Sequence, residues 1–237
     1  MDNAGRARQR VLALFLPVAA VLYVSAEALN PKGTDRVITS MTVAFTVLPI
    51  AARHPAQLYV SGSLSILALG ALAASYAAIA TLVRNRGSAV ATVAALLGGL
   101  GAFSGAIVNV LVGVNLAAAA SAHMTQQAAA RFVVTTFNSV PYQGFSAVYF
   151  IGIYAAPPLM AFALWRSRSV PLWLAVLFFV GLEVAEEVAS IGPVRVVLFM
   201  LPFAVAMVLL AARIWQAAAR PASKPQPEPA VVPVSSV

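Results

Sequence analysis

Residues 58–83 read LYVSGSLSILALGALAASYAAIATLV, residues 84–87 read RNRG, and residues 89–114 read AVATVAALLGGLGAFSGAIVNVLVGV. Two uncharged runs of 26 residues each are separated by a short segment with two arginines. A helix rises about 1.5 Å per residue, so each run can cross ~30 Å of hydrocarbon. The runs are continuous and rich in Ala and Leu. They lack the period-2 alternation of membrane-barrel strands, so they read as helices. The three pieces together form a helical hairpin whose turn lies at a membrane surface.

The same pattern extends outward along the chain. Further apolar runs occupy 11–29, 145–165, 171–188 and 194–215, the fifth in chain order carrying charge at one end. The expectation is an all-α, polytopic transmembrane helical bundle of six spans over residues 1–216, followed by a tail over 217–237. Composition agrees. Apolar residues make up 61% and charged residues 9%, against roughly 45–50% and about 25% in soluble domains. Fifteen Lys and Arg and seven Asp and Glu are too few to clothe a soluble core of this size.

The cations set the orientation. With the N-terminus in the cytoplasm, the inner side holds Arg6, Arg8, Arg10, Arg84, Arg86, Arg166, Arg168, Arg213, Arg220 and Lys224. The outer side holds Lys32, Arg36, Arg53, Arg131 and Arg195. The bias is ten to five and concentrates in short loops, where the positive-inside rule acts most strongly. Both termini are therefore expected in the cytoplasm, in a bacterial inner (plasma) membrane. The net charge of +8 is a topology signal. A nucleic-acid partner would need a basic face on a soluble domain, and none is expected. Membrane lipids are the expected surroundings.

Two outer segments need separate readings. Residues 37–52 are apolar but only 16 long, flanked by Arg36 and Arg53 and interrupted by Pro49. Counting them as a span would invert all that follows, so they read as an interfacial helix. Residues 115–143 read similarly, as an Ala-rich helical stretch followed by Arg131, Phe132 and a turn near Pro141. These segments are expected to cap the outer mouth of the bundle. The first span has a rival reading as a signal peptide, with Ala26-Glu27-Ala28 as the cleavage site. Pro17 and the length of the run favour a retained helix. Cleavage after Ala28 would leave five spans.

The tail carries Pro221, Pro225, Pro227, Pro229 and Pro233. Repeated prolines forbid a helix and favour an extended, solvated chain. The chain has no cysteine, which excludes disulfides and thiol chemistry. No phosphate-binding loop and no zinc-protease motif is present, so neither a cofactor nor a metal is implied. Gly98, Gly99 and Gly101 sit inside a span, not after a strand, and cradle no phosphate.

Small residues mark close helix contacts. Gly101, Gly105, Asn109 and Gly113 recur every four residues on one broad face, and Gly62 and Gly70 form a similar stripe with Ala74 and Ala78. The main reading is packing within the bundle. A homo-oligomer or membrane-protein partner through the Gly101/Gly105 face is the alternative.

The polar residues that could carry chemistry gather outside. Glu183 lies about 18 Å along the fifth span and Glu187 about 24 Å. Glu183, Glu186 and Glu187 share a helix face. Glu27 reaches a depth similar to Glu187 on the first span. Arg195, His54, His123 and Asn109 are candidate partners on the same side. A charge buried in hydrocarbon costs a few kcal/mol or more, so Glu183 should face the interior, be paired or be protonated.

Three readings are open. The cluster could be a structural staple, with Glu186 or Glu187 on Arg195. It could line a water-filled cavity for proton or cation coupling. It could join His54 and His123 in holding a metal or in acid–base work on a lipid-like substrate. The two histidines lie on different loops, which weakens the last.

The basic start, the first span ending in Glu27-Ala-Leu-Asn, His54-Pro55 before the second span and the Arg-Asn-Arg-Gly turn resemble a broad group of small multi-pass bacterial membrane proteins with no defined activity. The resemblance covers most of the chain up to Trp215. It implies the fold and no mechanism. The functional expectation is a non-enzymatic integral membrane protein. The alternatives are a small transporter or proton-coupled permease using the outer carboxylates and, after that, a membrane-embedded enzyme acting on a lipid or prenyl-type substrate.

Overall fold

The computed structural model describes residues 3–31, 34, 38–83, 86–121, 124–187 and 193–219, with side chains of 3, 121, 185–187 and 193–196 left aside. Among them are eight helices and no strand. They are α1 (Asn3–Leu29), α2 (Met41–Arg53), α3 (Pro55–Ala80), α4 (Ser88–Ser121), α5 (Gln126–Phe137), α6 (Val140–Ser167), α7 (Leu172–Glu187) and α8 (Pro193–Ala219). Five of these (α1, α3, α4, α6 and α8) are long and apolar enough to cross a membrane. α7 has 16 residues and falls short of that length. Leu67, Leu96, Phe103, Ile151 and Leu198 are exposed on the outside of the bundle. A soluble protein would not present so broad an apolar surface, so the protein is an integral membrane protein with a helical bundle.

Local chemistry sets the boundaries. Ser40, Thr125 and Ser139 cap α2, α5 and α6, each accepting from the backbone N–H three residues on. Pro55 disfavours helical backbone at His54, so α2 and α3 are split by that one residue. The expected turn near Pro141 lies slightly earlier, at Asn138–Ser139, because Pro141 is well placed in the first turn of a helix. α4 runs past the expected 114 to Ser121, since the stretch Leu116–Ala120 contains no helix breaker.

Six helices close into a ring. α1 packs on α3 and α8, α3 on α4, α4 on α6, α6 on α7, and α7 on α8. The centre is filled by Tyr76, whose ring lies on Gly98 of α4 and edge-on to Phe178 of α7 at 6.2 Å. Tyr23 of α1 meets Phe203 of α8 at 6.1 Å, and Gly181 of α7 lies against the Phe203 backbone. α4 and α6 cross backbone to backbone at Gly101 and Gly152, and Tyr149 lies over Gly105. Gly101 and Gly105 are thus used within the chain. Gly62 and Gly70 have open space where a Cβ would stand.

The two ends differ. At one, α2 and α5 pack on each other and on α4. Ala44, Val47, Leu48 and Ala51 of α2 and Ala129, Ala130, Val133 and Phe137 of α5 share a second, smaller core with Leu58, Leu116 and Tyr142. The Asn138 side-chain amide donates to the Thr39 carbonyl at 3.3 Å and ties the two segments. These helices form a cap on the ends of α3, α4 and α6. The opposite end carries Arg10 over the Trp215 ring at 6.0 Å, with Arg86, Arg166 and Arg168 nearby in the fold.

Candidate functional site

A cavity of about 240 Å³ lies beneath the cap. Four long helices and the cap supply its wall, each through residues at helical spacing. α1 gives Tyr23 and Glu27, and Asn30 follows one residue past its end. α3 gives Leu58, Ser61, Gly62, Ser65 and Leu69. α4 gives Val108, Asn109, Val112, Gly113 and Leu116. α6 gives Tyr142 and Tyr149, and α5 gives Phe137. Positions three, four or seven apart fall on one helix face, so each helix turns one stripe inward, with Tyr23 and Glu27, Ser61 and Ser65, Asn109, and Tyr142 and Tyr149 as the polar members.

Glu27 is the one charged side chain among the described lining residues. It is half-buried, and its Oε2 is fully buried. Asn109 donates to the Gly105 carbonyl of its own helix at 3.0 Å. Its carbonyl oxygen and second amide hydrogen remain available to a guest. Ser61 donates back to the Leu58 carbonyl at 3.3 Å, which turns its hydroxyl onto its own helix. Near the mouth, Thr34 Oγ1 donates to the Pro31 carbonyl at 2.6 Å and stands 3.0 Å from the Asn30 side chain. Gly62 and Gly113 leave open space along the wall, since a Cβ at either would meet nothing within 4 Å.

The volume corresponds to roughly eight water molecules at ~30 Å³ each. That suits a small solute or a hydrated ion. A carboxylate in a cavity that Tyr23, Phe137, Tyr142 and Tyr149 also line is a setting in which positive charge is favoured, by Coulomb attraction and by the ring quadrupoles.

Of the residues singled out in the sequence, the cavity brings together Glu27 and Asn109. His54 is exposed at the α2–α3 break and lines an adjoining hollow of about 340 Å³ with Ile50 and Gln57. Asn30 belongs to both spaces. Glu183 is half-buried on α7, two residues past the contact of Gly181 with Phe203. The side chains of Glu186, Glu187 and Arg195, and the whole of His123, lie outside the described residues. Among the described residues no three of His, Asp or Glu gather as a metal site would require.

Sequence reasoning passed over Tyr23, Asn30, Ser61, Ser65, Tyr142 and Tyr149. Their signal was the spacing itself. Tyr23, Glu27 and Asn30 are four and three apart, Ser61 and Ser65 four apart, and Tyr142 and Tyr149 seven apart, all inside apolar runs except Asn30 and Tyr142, which lie just beyond the ends of theirs. Comparison with protein families, with curated proteins and with solved structures gives no match.

Proposed function

We propose that this is a six-span protein of a bacterial plasma membrane, with both termini cytoplasmic. We further propose that it takes a small cationic solute into the cavity beneath its outer cap, as a transporter of that solute. The observation that carries the reading is Glu27, the sole charged side chain in the described wall of a cavity of mixed polar and apolar lining between candidate spans.

The sixth crossing is supported by chain continuity. α6 ends where Ser169 Oγ donates to the Leu82 carbonyl at 2.7 Å, at the basic end. α8 also finishes at that end, with Trp215 under Arg10. The chain must therefore climb to the cap end before α8 begins, and α7 is the element between them. Its 16 residues give about 24 Å against ~30 Å of hydrocarbon. The ten-to-five distribution of cations supports a cap on the outer side.

Binding is favoured over catalysis by the wall's chemistry. Ser61 is committed to its own helix, and the remaining groups are suited to holding a cation. The test is thermal stability of the purified chain in detergent against tetramethylammonium and sodium chlorides, wild type beside Glu27→Gln. A bound ligand at about 100 times its Kd stabilises by about 2.7 kcal/mol. We expect one of the two cations to raise the melting temperature of the wild type and to leave the variant unmoved. Uptake of that cation into proteoliposomes should fail in the variant as well. No stabilisation by either cation, or equal stabilisation of both proteins, contradicts the proposal.

A further inference from the structure

A second site stands at the opposite end of the bundle and owes nothing to Glu27. A groove of about 690 Å³ is lined by Arg86, Trp165, Arg166, Ser167, Arg168, Val170 and Leu172. Three arginines border it, and no carboxylate-bearing residue is present among its described lining residues. We propose that this groove binds the phosphate of an anionic phospholipid, with Arg86, Arg166 and Arg168 as its ligands.

The groove is built by two loops locked together. Ser169 Oγ donates to the Leu82 carbonyl at 2.7 Å and stands 2.6 Å from Ser167 Oγ, which fixes the α6–α7 turn against the end of α3. Gly87, with φ of +98°, lies so close to Ala163 that an added Cβ would stand 3.1 Å from its carbonyl oxygen. The α3–α4 turn is thereby held against α6, which brings Arg86 to the same groove as Arg166 and Arg168.

Arg168 itself adopts φ of 53°, in the left-handed region that favours glycine. A long cationic side chain stands where the backbone would prefer none.

The ligand class follows from the charge and the surroundings. Guanidinium forks match phosphate oxygens in geometry and charge. Trp165 and Leu172 line the groove with the arginines and, like Trp173 next in the chain, are more than half exposed. Tryptophan belongs at the headgroup level of a membrane, and the exposed leucine offers contact to an acyl chain. A free phosphate would use the arginines and leave this apolar border without purpose. Basic pockets between helices on the cytoplasmic side are where anionic headgroups settle.

The test is native mass spectrometry of the full chain in detergent, titrated with dioleoyl phosphatidylglycerol and with the zwitterionic dioleoyl phosphatidylethanolamine. Each arginine near the surface contributes about five-fold, so Arg86→Gln/Arg166→Gln/Arg168→Gln should weaken phosphatidylglycerol binding by roughly 100-fold. Arg53→Gln/Arg131→Gln, which removes two exposed cations from the capping helices, should bind as the wild type does. Phosphatidylethanolamine should bind weakly to all three. Arg168→Gly guards against a misfolded triple variant. It relieves the left-handed backbone, so its melting temperature should hold or rise while lipid affinity falls about five-fold. A loss of about 25-fold in the Arg53/Arg131 variant, five-fold for each charge removed, would reduce the effect to net charge and overturn the site. So would undiminished binding by Arg168→Gly, or equal binding of the two lipids. Displacement of the lipid by millimolar inorganic phosphate would overturn the lipid assignment in favour of a free-anion site.

Discussion

Gly152→Ala tests the packing that holds the bundle and its cavity together. A Cβ at residue 152 would stand 2.5 Å from Gly101 Cα and 2.7 Å from the Leu97 carbonyl oxygen. Non-bonded carbons pack at about 3.5–4.0 Å, so α4 and α6 must part by roughly 1 Å to admit one methyl group. Both partners at the crossing are backbone, and no side chain can swing aside. Overpacking of this kind costs about 1–3 kcal/mol. Alanine gives back roughly 0.5–1 kcal/mol through its better helix propensity, so the net loss should be on the order of 1–2 kcal/mol. Gly101→Ala meets Gly152 Cα at 2.7 Å and should behave alike. The double variant should lose less than the sum, because the first methyl has already opened the gap. Gly99→Ala supplies the control, since its Cβ would meet nothing within 4 Å. It should be neutral or stabilising. Equilibrium unfolding in mixed micelles reads all four. If Gly152→Ala proves as stable as Gly99→Ala, the backbone crossing does not exist as described.

Two further outcomes follow from the same geometry. Gly113→Leu places a large side chain in open space on the cavity wall, so stability should change by less than about 1 kcal/mol while cation stabilisation in the thermal assay is lost. Tyr76→Ala removes the ring shared by α3, α4 and α7. It should cost about 3–5 kcal/mol, read as a large fall in melting temperature with extraction yield monitored alongside.

Much of the architecture was legible from elementary arguments. The uncharged runs around RNRG located α3 and α4, because a membrane helix must satisfy its backbone internally over a fixed thickness. Arg36, Arg53 and Pro49 marked residues 37–52 as something other than a span, and α2 does lie on the cap. Other features were not legible. In lipid, both the packed and the exposed face of a helix are apolar, so hydrophobic periodicity does not say which face turns inward. The stripe Tyr23–Glu27–Asn30 was therefore read only through its charge. Three glutamates on α7 drew attention to that helix, whereas the described cavity is built around α1, α3, α4 and α6. The extension of α4 and the separate helix α5 were blurred within one Ala-rich stretch, where composition alone does not place the boundary at Ser121.

The absence of cysteine from the chain allows the most direct measurement. A single Gly62→Cys would stand on the cavity wall, where a Cβ has open space. It would be labelled from outside intact cells with membrane-impermeant methanethiosulfonate reagents, one cationic and one anionic. The account predicts reaction from the outside, faster with the cation, and loss of that preference when Glu27→Gln is added. Reaction only in inverted vesicles, or a cation-to-anion ratio unchanged by Glu27→Gln, would contradict an outward cavity governed by Glu27.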